Sequence, residues 1–558
     1  EEYDDVIKSD EMDEKFDPEL DDNIVPGFKA QCHGRPVQTV SKTMIVKSPL
    51  HNTFAESKMA PAILRGRVVD GEFVHPMQKT RLKYCTPVRA MHPNLLKIVS
   101  EYILGRMNAV STMGVPWLKP KVMTFEEAVQ GRPDVNFMEG IPRNTSAGYP
   151  YKLDVPFGHK GKSHFFGAAD AYEFDSPHCK ILRERVEDII VCAKRGERKL
   201  HVYVDFLKDE RRPLAKVKSM STRMVSASPL DLLIAHRMYF LDFVRWIMHN
   251  RIANGSAVGV NCYSNEWELS AKHLLEVVNN EVPCMIAGDY SGYDGSITTQ
   301  IERAVLHIVN TWYNTPEDNV IRDVLWEEVC ASRHIYEDVI YQWSGKNPSG
   351  CFMTTILNTL VNEILIVYCF VRSYLEESCE DFGDEEEYYL AVGDALALAK
   401  DHLRYLCYGD DNLIAVSERV NEMFNQETFT DFLAEVGYKY TIESKDETVV
   451  DPVRSISEVS FLKRSFARSE MTGRYLCPLE LDVILEMPQW TTRKDVNLLD
   501  AQTNVETALK ELSLHSRAVF DEYAPKILAS AQEKMDFIPL VTDYNTLQMT
   551  ILSSPELL

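Results

Sequence analysis

The sequence predicts an α+β fold with a mainly helical C-terminal part. Three observations carry that expectation. In YLCYGDDNLIAV, residues 405–416, strand-like runs lie on both sides of a short Gly-Asp turn, which is a hairpin signal. In LDLLIAHRMYFLDFVRWIMHN and ILNTLVNEILIVYCFVRSYL, long apolar segments read as buried helices. From LELDVILEM onward, helix-like segments predominate. The chain has 558 residues, 45% hydrophobic and 26% charged, enough for the cores of several domains.

The elements follow in order. Residues 1–24 read as a flexible acidic arm, because the first 22 hold twelve acids against two lysines. From FKAQCHGRPVQTVSKTMIVKSPL to about residue 90, short strands mix with loops. NLLKIVSEYILGRMNAV has helical spacing, RNTSAGYPYKLDVPFGHKGKS is a Gly/Pro-rich loop, and KILRERVEDIIVCAKRGE is helical again. KLHVYVDFLKDERRPLAKVKSMSTRMVSAS reads as two strands joined by a basic turn region. After the apolar helix that follows, the strand CMIAGD is expected to end at Asp289. Helices then alternate with strands to about residue 470. In the tail, Thr503 and Glu506 have the spacing of a capping box, and Trp490 reads as core.

Several classes are excluded or weakened. No stretch is long and apolar enough to span a bilayer, since Asn358, Asn362, Glu363 and Arg372 interrupt the best candidate. Twelve scattered cysteines without a C-x-x-C pair fit packed thiols better than disulfides or a zinc knuckle. The net charge of −24 opposes a nucleic-acid partner at first sight. Much of it sits in the first 22 residues and in EESCEDFGDEEE, 376–387, which has eight acids and no base and reads as an added solvated loop. The remainder has basic stretches, and binding depends on the field of the groove rather than the total. FGHKGKS lacks the first glycine of a phosphate loop, with Pro156 in its place. Counted from Asp289, CMIAGDYSGYDGSI fails the calcium-loop pattern, whose twelfth position falls on Gln300.

The chemistry lies in the carboxylates. A plain hairpin does not need two adjacent acids between apolar strands, where unpaired carboxylates are costly. A divalent cation removes that cost. Asp289 ends a strand, Asp294 follows five residues later, and Asp289 could face Asp410. Carboxylates from two strands can clamp two metals about 3.5–4 Å apart, the arrangement that stabilises attacking and leaving oxygens in phosphoryl transfer.

GDYSGYDGS, NPSGCFMTTILN, YGDDN and FLKR occur in that order. Together they resemble the palm motifs of an RNA-directed RNA polymerase of the picornavirus-like group, of the insect iflavirus or dicistrovirus type. The resemblance covers about residues 30–520. It implies a right-hand polymerase, with fingers from 25–225 and 295–340, palm from 226–294 and 341–470, and thumb from 471–558. It implies that Asp289 and Asp410 bind Mg²⁺, with Mn²⁺ as a substitute, and that Asp411 is a weaker or water-mediated ligand. Asp294 and Asn358 then sense the ribose, and Ser349 and Thr354 complete that network around Gly350. Lys208, Arg212, Lys216 and Arg223, in KDERRPLAKVKSMSTR, match the basic positions along the nucleotide path, with Arg223 touching the triphosphate. Thr145 and Ser146 match a template-guiding loop. Lys445, in GYKYTIESKDE, matches the proton donor to pyrophosphate. Lys463 and Arg464 match a grip on the primer strand.

The implied partners are template and primer RNA, ribonucleoside triphosphates, a small genome-linked protein primer and other viral replication proteins. The implied setting is the host cytoplasm, at membrane-associated replication complexes. The acidic start departs from members whose N-terminus is tucked into the fingers. Two rivals stand beside this reading. A reverse transcriptase also uses a Tyr-x-Asp-Asp hairpin, but the Asp294/Asn358 pair favours ribonucleotides. A non-catalytic RNA-binding scaffold has no need of Asp289, Asp410, Asp411, Asn358 and Lys445 together.

Overall fold

The 24-residue helix Thr354–Glu377 is buried around most of its circumference and organises the centre of the molecule. It belongs to the computed structural model of the chain, which describes residues 29–84, 89–112, 120–156, 158–159, 161–277, 285–378, 384–442 and 454–553. Contrary to the expectation from its interrupting polar residues, this helix is long and apolar enough by composition to cross a membrane, yet 89% of that stretch is buried inside protein, as in a core helix. Its apolar residues join Pro93–Thr112, Leu230–His249 and Thr299–Tyr313 in one large core. Its polar residues Asn358, Thr359 and Asn362 are buried and face the neighbouring sheet and loops.

That sheet has four antiparallel strands in the order Leu403–Tyr408, Asp411–Val416, Met285–Ser291, Lys439–Thr441. Its register sets Tyr408 opposite Asp411, Asn412 opposite Gly288, and Thr441 opposite Asp289. The central strand therefore runs two residues beyond Asp289, past the end expected from the sequence. Pairing with Lys439–Thr441 holds those extra residues extended.

A second sheet has five strands in the order Lys29–His33, Val339–Gln342, Arg333–Tyr336, Tyr203–Leu207, Met224–Ala227. The expected boundaries at 225/226 and 340/341 both fall inside its strands. The basic turn region between the two strands of KLHVYVDFLKDERRPLAKVKSMSTRMVSAS itself contains the short strand Arg211–Pro213 and the helix Leu214–Lys218.

The C-terminal part is helical, with Leu481–Glu486, Leu499–Leu512, Arg517–Met535 and Tyr544–Leu552. Trp490 is buried, as expected, and its indole N–H donates to Glu486 Oε2 at 2.9 Å. The capping box does not form. The helix already begins at Leu499, so Thr503 lies inside it and its hydroxyl donates back to the Leu499 carbonyl at 2.9 Å. The acidic block is not simply a loop either. Asp384 caps the helix Glu385–His402, whose first turn carries Glu385, Glu386 and Glu387, where carboxylates complement the positive end of the helix. Residues 1–24 lie outside the described residues.

An N-terminal strap closes the molecule on itself. Ile45–Lys47 pairs with Trp490–Thr492, Ser48 Oγ donates to the Pro488 carbonyl at 2.5 Å, and Ser57 Oγ donates to Glu486 Oε2 at 2.9 Å.

Candidate active site

Gly409 and Asp410 form the two-residue tip of the hairpin between Tyr408 and Asp411. Gly409 has φ +59°, while Asp410 keeps a negative φ, the pattern of a II′ hairpin turn. A side chain at 409 would meet open space, so the backbone angle is what selects glycine. At Gly288 the reason differs: a Cβ there would lie 2.3 Å from the Thr441 carbonyl oxygen. These two positions let the hairpin and the central strand bring Asp289, Asp410 and Asp411 to one end of the sheet.

The carboxylates feel one another. Burial raises the pKa of Asp410, repulsion from Asp289 adds to it, and Arg223 opposes. Asp411 is pushed up to about 7 by burial, then by Asp410 and Asp289, with Lys463 opposing. Asp410 is nevertheless reached by solvent, and Asp289 and Asp411 are partly exposed beside it. Among the described residues no three acids, histidines or cysteines form a complete metal shell. A magnesium-type site needs only one or two carboxylates and completes its octahedron with water and substrate phosphates, so Asp289 and Asp410 would fit one. The crowded like charges fit such a cation, because it removes the repulsion that raises them.

Four hydrogen bonds hold the hairpin from below. Asn362 Nδ2 donates to the carbonyls of Gly409 at 3.1 Å and Asp411 at 3.2 Å. Gly409 N–H donates to Thr359 Oγ1 at 2.9 Å, and Asn412 Nδ2 donates to Asn362 Oδ1 at 2.9 Å. Tyr290 OH reaches Asn362 Oδ1 at 3.1 Å, and Tyr440 OH reaches Asn412 Oδ1 at 2.6 Å. In the sequence Asn362 reads only as an interruption of an apolar helix. Its spacing of four from Asn358 was the available signal, since both then share one helix face.

Asp294 lies one short turn beyond the central strand. Asn358 Nδ2 donates to its Oδ1 at 2.8 Å, and Asn347 Nδ2 contacts the same oxygen at 3.4 Å. Asn347 also donates to Asn358 Oδ1 at 3.0 Å. Asp294 is pushed up to about 6 by burial and by Asp410, against the pull of its amide partners and Arg223. The expected pair Asp294 and Asn358 is therefore assembled, and Asn347, unmarked by any motif role in the sequence, joins it. Thr354 Oγ1 donates to the Pro348 carbonyl at 3.2 Å and bonds Asn347 Oδ1 at 3.4 Å. Ser349 Oγ accepts from the Ser226 N–H at 3.3 Å. Gly350 is fixed by packing: a Cβ there would stand 1.9 Å from the Ser226 carbonyl oxygen.

The basic positions surround one acid. Arg223 forks onto Glu210, with Nε donating to Oε1 at 2.5 Å, while Lys208 lies 3.3 Å and Arg212 4.0 Å from the same carboxylate. Arg223 also acts electrostatically on Asp410 and Asp294. Lys216 stands exposed on Leu214–Lys218. Lys83, missed from the sequence, joins this field: burial and then Arg212, Lys216 and Lys79 lower its pKa. Lys79 and Lys83, four apart in a helical stretch, were the signal.

Thr145 and Ser146 are exposed on their loop. Lys162 braces that loop through its Nζ–Thr145 Oγ1 hydrogen bond and its N–H to the Arg143 carbonyl at 2.8 Å. FLKR is a tight turn with positive φ at Leu462 and Lys463. Lys463 is exposed and its charge reaches Asp411. Arg464 is a correction. Its guanidinium is engaged bidentately by Glu511 at 2.9 and 2.9 Å and donates to Tyr263 OH at 3.1 Å, so it ties the turn to the C-terminal helices instead of facing a strand of RNA. Lys445 lies outside the described residues.

Comparison with known proteins converges on one group. The family described as viral RNA-dependent RNA polymerase matches residues 53–532. The replicase polyprotein of Acute bee paralysis virus is 35% identical over 531 residues, covering 93% of this chain and 26% of that protein. That of Drosophila C virus is 31% identical over 554 residues, covering 96% and 30%. The chain thus spans between a quarter and a third of these relatives' length. The solved Sicinivirus 3Dpol RNA dependent RNA polymerase superposes with a TM-score of 0.73 at 22% identity, over 94% of this chain and 98% of that one.

Proposed function

Because the chain belongs to the viral RNA-dependent RNA polymerase family and has its right-hand fold, we propose that it copies an RNA template by adding ribonucleotides to a primer 3′-OH. The observation that carries this reading is the convergence of Asp289, Asp410 and Asp411 beside the Asp294–Asn358–Asn347 cluster. The reaction is in-line attack of the 3′-oxygen on the α-phosphorus of a ribonucleoside triphosphate, with pyrophosphate leaving. Its catalysis rests on positioning and charge stabilisation.

Asp289 and Asp410 are the residues to hold divalent cations, Mg²⁺ with Mn²⁺ as a substitute, and Asp411 lies beside them. Bound there, the cations supply charge to the attacking and leaving oxygens. Lys208, Arg212, Lys216, Lys83 and Arg223 steer the triphosphate, and Arg223 exchanges Glu210 for a phosphate. Asp294, through its carboxylate, accepts from the 2′-OH, and the asparagines hold that carboxylate in place. Thr145 and Ser146 guide template, Lys463 meets primer phosphate, and Lys445 gives the departing pyrophosphate its proton. The proposed division is fingers from 25–225 and 295–340, palm from 226–294 and 341–470, and thumb from 471–558. Priming by a small genome-linked protein, other viral replication proteins as partners, and work at membranes in the host cytoplasm complete the proposal.

The ribose cluster argues for ribonucleotides and against a reverse transcriptase. The test is competition of rNTPs against dNTPs on one primed RNA template, with and without a chelator. Chelator-sensitive incorporation with strong ribonucleotide preference is expected. Preference for dNTPs would support the reverse transcriptase, and RNA binding without incorporation would support the scaffold.

A further inference from the structure

Beneath the ribose loop lies a hydrogen-bonded chain that the reaction does not touch. Ser332 Oγ and His334 Nε2 are 2.8 Å apart, and His334 Nδ1 stands 2.8 Å from Asp205 Oδ1. Ser226 Oγ donates to that same Asp205 oxygen at 2.6 Å, and Tyr341 OH donates to the other. Ser226 N–H then reaches Ser349 Oγ at 3.3 Å. Ser332 and His334 are 0% exposed, and Asp205 and Ser226 only 1%.

Ser332, His334 and Asp205 have the connectivity of a hydrolytic triad. Burial rules that role out: no substrate reaches Ser332, and its oxygen already accepts from Trp343 Nε1 at 2.5 Å. A buried carboxylate with this many partners is instead a rigid fixture. Burial pushes the Asp205 carboxyl up, but His334 and the hydroxyl donors more than offset this and hold it below the usual range. It is thus an ionised anchor.

The anchor sits where it matters. Asp205 and Ser226 are register partners in the five-stranded sheet. One strand runs into Lys208, the other starts just after Arg223, and Lys208 N–H closes on the Arg223 carbonyl at 2.9 Å. The residue after Ser226, Ala227, bridges to Gly350. We infer that the buried Ser332–His334–Asp205–Ser226 chain is a positioning device for nucleotide selection. It sets the place of Ser349 and Gly350 against the ribose cluster and, through the same strands, of Lys208 and Arg223. Asp205, His334 and Ser226 are positioning residues. This inference rests on the polymerase reading above.

The experiment compares the intact chain with Asp205→Asn, Ser226→Ala and Ser226→Thr. The readout is the ratio of kcat/KM for an rNTP over the matching dNTP, which does not depend on the fraction of active protein. Displacing reacting groups by even 1 Å is felt at about the hundredfold level. Asp205→Asn and Ser226→Ala should therefore lower the ratio by roughly tenfold, mainly through KM for the rNTP. Ser226→Thr keeps the hydroxyl and should restore it. Should Asp205→Asn fail to fold, the two Ser226 variants carry the test. An unchanged ratio in folded variants of an active enzyme overturns the positioning role alone. No incorporation by the unaltered chain overturns the polymerase reading, and this one with it.

Discussion

Asp294 shows how a single residue sets function against stability. Its carboxyl is raised to about 6 from an unfolded value near 3.8. A raised carboxyl favours the folded state while it keeps its proton, and that contribution is lost as pH rises through about 6. Removing the charge should therefore help the fold only at higher pH. Asp294→Asn is expected to stabilise nucleotide-free protein at pH 8 by on the order of 1–2 kcal/mol, allowing for partial solvent access. The gain should vanish near pH 4. Thermal unfolding across pH checks this, and a gap that does not change with pH would contradict it. The same variant should lose ribonucleotide preference. At this scale the sequence was informative where a motif fixes direction, as for Asp294 and Asn358. It was silent where direction depends on packing. Lys463 and Arg464 are adjacent basic residues, and only the tight turn decides that one faces Asp411 and the other Glu511.

Among elements, the FLKR turn and the C-terminal helix Leu499–Leu512 act as one joint. The Arg464–Glu511 pair that links them is largely buried, with Tyr263 stacked against the guanidinium at 5.1 Å. Leaving one buried charge unpaired costs about 3–5 kcal/mol. Glu511→Ala should lower thermal stability by that order, read by calorimetry. Lys463→Ala should instead leave stability nearly unchanged and reduce the salt dependence of RNA binding by about one unit of slope. Equal effects of the two variants on the slope would overturn the assignment. The helices and strands that carry the site were legible because their apolar periodicity is long and clear, as in Thr354–Glu377. Helix starts were less so. The Thr503/Glu506 pattern is a valid capping signal, but tertiary packing starts the helix at Leu499, with Asp495 accepting the N–H groups of Asp500 and Ala501 at 3.0 and 2.9 Å.

For the whole molecule, the strap fastens residues 45–58 to the segment 482–492. Glu486 receives Ser57, the Lys58 N–H and the Trp490 indole, while Lys58 Nζ pairs with Asp482 at 2.9 Å. No local pattern announces a contact between residues some 430 apart in the chain. Glu486→Ala should open the strap, speeding proteolysis within 45–61 and shortening the lifetime of a primed RNA complex; unchanged cleavage would show that the sheet pairing alone suffices. The function proposed for the chain places RNA synthesis at the hairpin tip. It is tested most directly by extending an oligo(U)-primed poly(A) template with labelled UTP and Mg²⁺, comparing the intact chain with Asp410→Ala. Incorporation is expected from the intact chain and none from the variant, with both equally folded. Incorporation that survives in Asp410→Ala would contradict it.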